Sequence, residues 1–96
     1  MKAALLIHER MFFADGHLIE IKVWRVQEPV RASHHGLKYS LFYGRPGVRI
    51  VGYDNERGKG DHRHYKQREQ SYDFVSIEKL LDDFKADVEK ARGEAI

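Results

Sequence analysis

From His17 to Val26 the chain reads HLIEIKVWRV, with Ile19, Ile21 and Val23 on one side and Glu20, Lys22 and Trp24 on the other. That two-residue period is the mark of a half-buried strand. The pattern recurs along the chain. AALLIHERMFF is an apolar-rich stretch that predicts a strand over about residues 2–13, and Ala14-Asp15-Gly16 supplies an Asp-Gly hairpin signal before the second strand, about 17–27. Pro29 stops that strand. A third, about 37–44, sets Leu37, Tyr39, Leu41 and Tyr43 against Lys38, Ser40 and Phe42. Gly44 to Gly47 then turn the chain, with Pro46 presetting φ. Strands are further expected over about 48–54 and 71–75, the last placing Tyr72 and Phe74 on one side.

At Ser76 the period changes. Ile77, Leu80, Leu81, Phe84 and Val88 recur at helical spacing, which predicts a helix over about 77–92 with one apolar face. Ser76 suits the N-cap, Glu78 the first turn and Gly93 the end. The expected architecture is α+β: an antiparallel meander of about five strands with a C-terminal helix packed on one face. With 96 residues and no repeat or linker composition, residues 1–96 are expected to form a single domain.

Composition narrows the chemistry. There is no cysteine, which removes disulfide scaffolds, thiolate metal sites and cysteine nucleophiles. The early apolar run AALLI is broken by His8-Glu9-Arg10, so neither a signal peptide nor a membrane span is expected, and the cytoplasm is the expected location. The net charge is only +2 although 33% of residues are charged, so the placement of charge matters more than its sum. His8 is expected as a buried or edge imidazole and Trp24 as a core or interface anchor. Tyr39, Phe42 and Tyr43 are expected in the core and on the sheet surface.

The polar run from Tyr53 to Lys66, YDNERGKGDHRHYK, fits none of the apolar patterns. Three readings compete for it. The first is a solvated hairpin in which Gly58 and Gly60 supply positive φ. The second is a metal site built on His62 and His64, one residue apart and so on one face of a strand. Asp54 or Asp61 would add an oxygen, and His34 or His35 a third imidazole. The third is binding and metal-free cleavage of RNA. That reaction needs a base for the 2′-OH, an acid for the leaving 5′-oxygen and cations for the phosphorane. His62 and His64 are the candidate acid–base pair, with Asp54 and Asp61 orienting them. Arg57, Lys59 and Arg63 are the candidate phosphate contacts, and Tyr53 and Tyr65 the candidate base-stacking residues.

A wider set of residues carries a family resemblance. His8-Glu9-Arg10, Asp15-Gly16, Glu20 and Trp24 precede HGLKYSLFYGRPGVRIVGYDNERGKGDHRH, and LLDDF follows in the helix. The chain thereby resembles the TumE family, the toxin half of prokaryotic toxin–antitoxin modules, over nearly its whole length. The resemblance implies a nearby-encoded antitoxin partner carrying a DNA-binding domain, and an activity directed at mRNA or the ribosome. It brings no catalytic residues with it. The combined expectation is a toxin acting on RNA as a metal-free endoribonuclease, without a cofactor or membrane attachment. A non-enzymatic protein- or nucleic-acid-binding module and a metal-dependent hydrolase using His62 and His64 are the alternatives. Exposed strand edges would also allow a homodimer.

Overall fold

The computed structural model describes residues 3–30, 32–56 and 58–96. Six strands and one helix follow in chain order: β1 (Ala3–Phe12), β2 (Leu18–Val26), β3 (Leu37–Arg45), β4 (Val48–Glu56), β5 (Gly60–Tyr65), β6 (Arg68–Ser71) and α1 (Ile77–Arg92). The strands form one antiparallel sheet in sequence order, each paired with the next. The fold is therefore the expected α+β meander with a C-terminal helix, with one strand more than the apolar pattern marks. The polar run does not make a long loop. It supplies the end of β4 and all of β5, with Glu56 opposite Gly60 and only residues 57–59 between them. Gly58 and Gly60 both have positive φ there. The last strand ends at Ser71, and after one further backbone bond from Tyr72 N to Asp61 O the chain leads into the helix, so the expected strand at 71–75 is displaced toward the N-terminus.

Alternation assigns the two faces of the sheet. Ile19, Val23, Tyr39, Leu41, Tyr43, Val51 and Tyr53 point to one face and are buried against Leu80, Phe84 and Val88 of α1. Each side chain so buried contributes roughly 1.5–3 kcal/mol. Ser76 caps the helix by accepting from Lys79 N, and Gly93 ends it in the left-handed conformation with φ 75°. One polar cluster also joins helix to sheet. Asp87 accepts from Arg63 Nε at 2.6 Å, from Arg63 Nη2 at 2.7 Å and from the Tyr53 hydroxyl at 2.6 Å. Among the described residues no helix is long and apolar enough to cross a membrane.

Among the described residues, no helix lies over the opposite face. Strand register lines its side chains up in rows, one running His8, Lys22, Ser40, Asp54, His62 and Ser71 across all six strands. The adjacent row runs Arg10, Glu20, Phe42, Gly52, His64 and Glu69.

Candidate active site on the open sheet face

Where these two rows cross β4 and β5, three side chains converge. His62 and His64, two apart on β5, point the same way, with ring centroids 5.2 Å apart and the planes nearly perpendicular. Asp54 faces His62 from β4, and His62 Nε2 lies 2.6 Å from Asp54 Oδ1. Both atoms are buried, and neither has a well-aligned hydrogen-bond partner among the described residues. A donor atom from each of Asp54, His62 and His64 lies within 4.8 Å of the other two. His62 is only 4% exposed, whereas Asp54 and His64 remain partly open.

Two further residues complete the surroundings of His64, and neither stood out in the sequence. Arg49 reaches over the sheet so that Nη2 donates to His64 Nδ1 at 2.9 Å. A bulge between Tyr43 and Gly44 shifts the β3–β4 register and leaves Arg49 opposite Gly44. Its side chain then runs across Gly52, where an added Cβ would meet Arg49 Cδ at 2.6 Å. Glycine at 52 is thus the lane that lets the guanidinium through. Glu69 stands across from His64 on β6, its carboxylate 3.5 Å from Nδ1. Burial, followed by the Arg49 charge, pushes the His64 pKa below the usual histidine value, and Glu69 opposes this. Because Nδ1 accepts from Arg49, the neutral ring carries its proton on Nε2.

The other candidates take different places. Asp61 points to the helix side and does not contact His62 or His64. It accepts from Tyr39 OH at 2.7 Å and Ser33 Oγ at 2.5 Å, and pairs with His35 Nε2 at 2.6 Å. Burial raises the Asp61 pKa, but these three partners together outweigh it and hold the carboxyl below its usual range. Asp61 therefore orients His35, not the histidine pair, and the loop between β2 and β3 is pinned to the sheet. Gly60 gives this loop room, since a Cβ there would meet Ala32 O at 2.7 Å. His35 also stacks on Phe74, centroids 4.0 Å apart, while His34 is exposed.

Tyr53 is 2% exposed, too buried to stack a base, and Arg63 is committed to Asp87, so both serve the helix junction. Lys59 is exposed at the hairpin tip, 3.8 Å from Glu56. Arg57 lies outside the described residues. Tyr65 is partly buried on the helix side among several cations. The structure thus gathers Asp54, His62 and His64, and sends Asp61, Arg63, Tyr53 and Tyr65 to the other face.

The family model described as "Toxin TumE" matches residues 2–92. No curated protein and no solved structure matches the chain. With the match spanning all six strands and the helix, the chain belongs to the TumE toxin family.

Proposed function

We propose that this toxin acts on RNA as a metal-free endoribonuclease in the cytoplasm, and that a cognate antitoxin with a DNA-binding domain restrains it. The convergence of Asp54, His62 and His64 on the open face carries this reading. His64 is the base: its lowered pKa keeps the ring neutral at physiological pH. When the phosphate draws Arg49 away, Nδ1 is freed to take the 2′-OH proton. The 2′-oxygen attacks phosphorus, and the bond from phosphorus to the 5′-oxygen breaks. The products are a 2′,3′-cyclic phosphate and a 5′-hydroxyl, the latter protonated from His62. Asp54, 2.6 Å from His62 Nε2, holds the His62 ring in place for its role as the acid. Arg49, moved onto the phosphate, offsets the charge of the phosphorane.

A metal-dependent hydrolase is the second reading, favoured by the mutual reach of the three donor atoms. Two imidazoles and a carboxylate suit a divalent transition metal such as zinc. One experiment separates the readings: incubate the purified chain with total RNA, with and without EDTA, alongside His62→Ala, His64→Ala and the double variant. The expected result is cleavage that survives EDTA and falls roughly 10²–10⁴-fold with each single substitution, with antitoxin affinity retained. Cleavage abolished by EDTA transfers the site to a metal. RNA that is bound but never cut makes the protein a binding module.

A further inference from the structure

The helix-side end of the β5–β6 hairpin holds a second constellation, on the opposite face from the histidines. Arg63, Tyr65, Arg68, Gln70 and Lys90 line a recess of about 190 Å³ between the hairpin and the last turn of α1. Three cations surround the Tyr65 ring: Lys90 Nζ is 5.3 Å from its centroid, Lys66 Nζ 5.8 Å and Arg63 Cζ 5.9 Å. Arg68 faces Tyr65 directly across the hairpin. Asp87 engages Arg63 through Nε and Nη2, which fixes the guanidinium and leaves Nη1 with two further N–H donors. Among the described residues, Lys66, Arg68 and Lys90 make no ion pair.

Each cation has a simple local explanation. Lys90 complements the helix dipole, and Arg68 guards an edge strand. Neither explains their gathering into one recess, where like charges repel unless an anion joins them. Lys66 adds a separate indication. Its φ is +56°, a left-handed conformation that glycine or asparagine would adopt at less cost. A lysine at that point of the turn accepts local strain and sets its ammonium 5.8 Å from the ring of Tyr65, which itself lines the recess.

We infer that this recess is a phosphate subsite for the RNA strand whose scissile phosphate lies at His62 and His64. The inference rests on the RNA reading above. His64 and Tyr65 are consecutive residues on opposite faces of β5, and only β6 separates them from the sheet edge. All four residues of β6 are exposed. A strand leaving the histidines therefore crosses about 5 Å of sheet before it turns over the edge into the recess. Arg63 and Arg68 offer N–H groups to phosphate oxygens, and Lys90 supplies charge.

The test titrates ¹⁵N-labelled protein with inorganic phosphate and, separately, with a short single-stranded RNA methylated at every 2′-oxygen to prevent cleavage. Wild type is compared with Arg68→Ala/Lys90→Ala and with His62→Ala/His64→Ala, and thermal melting confirms that each folds. The expected result is that RNA moves the Tyr65, Arg68 and Lys90 resonances. The Arg68→Ala/Lys90→Ala variant should bind it more weakly, with a salt slope smaller by about 1.4, at ~0.7 per contact in a single strand. RNA binding with unchanged affinity and slope in that variant overturns the subsite and leaves the RNA reading standing. Phosphate shifts without any RNA binding overturn the RNA assignment and identify a free-phosphate site. No shift with either probe overturns the subsite altogether.

Discussion

At the scale of single residues, the contact between Arg49 and His64 makes a measurable demand on pH. Burial and then the Arg49 charge lower the His64 pKa. Arg49→Gln removes the charge and leaves the burial, so the pKa should rise toward its ordinary value near 6.5. Titration of the His64 ring proton by NMR checks this directly. The rate should follow, because a base must be deprotonated to work. The acidic limb of the pH–kcat/KM profile, which climbs as His64 loses its proton, should move to higher pH in Arg49→Gln. An unmoved limb would remove His64 from the role of base. None of this was legible in the sequence. VRIVG alternates as a plain strand, and only the bulge at Tyr43 and Gly44 aims Arg49 across Gly52. His62 and His64, by contrast, share a face by their spacing alone. Asp61 shows the converse error: next to His62 in sequence, it lies on the opposite face of β5, where a period of two must put it.

At the scale of elements, the β2–β3 loop depends on Asp61, which holds both Ser33 and His35. The folded-state pKa of Asp61 is below that of the unfolded chain, so the carboxylate stabilises the fold above the unfolded value near 3.9. That contribution is lost as pH falls through the folded-state pKa. Asp61→Asn should cost about 2 kcal/mol in urea unfolding at pH 7, where a charged acceptor is exchanged for a neutral one. The gap between variant and wild type should narrow at pH 3; a gap of constant size would show that the carboxylate's charge is not what matters. The same residue shows why β5 and β6 left little trace in the sequence. Apolar alternation revealed β2 and β3 because Ile19, Ile21, Val23, Tyr39 and Leu41 meet the helix as hydrophobes. On β5 the equivalent inward positions are Asp61, Arg63 and Tyr65, all partly buried, with Asp61 paired to His35, Arg63 to Asp87, and Tyr65 flanked by cations. A strand whose inner face is satisfied by polar partners has no apolar period to read. Asp54 reached His62 only through hairpin register, and a one-residue slip would have set Tyr53 or Asn55 there.

At the scale of the whole molecule, the sheet divides into a face that α1 covers and a face that it leaves open, and the open face carries Trp24, the chain's single tryptophan. Trp24 stands opposite Lys38, next to the row that runs through Lys22 and Ser40 to Asp54 and His62. It is partly exposed and can reach solvent from the face that holds the histidines, so it is not the fully buried anchor that hydropathy alone would allow. A single-stranded RNA lying across that face should place a base on the indole and quench its fluorescence, and added salt should reverse the quenching as the phosphate contacts weaken. Trp24→Ala should then weaken binding about tenfold, since stacking one base is worth ~1–3 kcal/mol. A tryptophan that serves only as a structural anchor behaves otherwise. Its emission stays constant when RNA binds, and its replacement lowers the melting temperature without changing the affinity of the protein that remains folded. Measuring affinity and melting temperature on the same variant therefore separates the two roles. Constant emission with RNA bound at full affinity would confine the RNA to β4, β5 and β6, leaving the β1–β2 half of the open face outside the site.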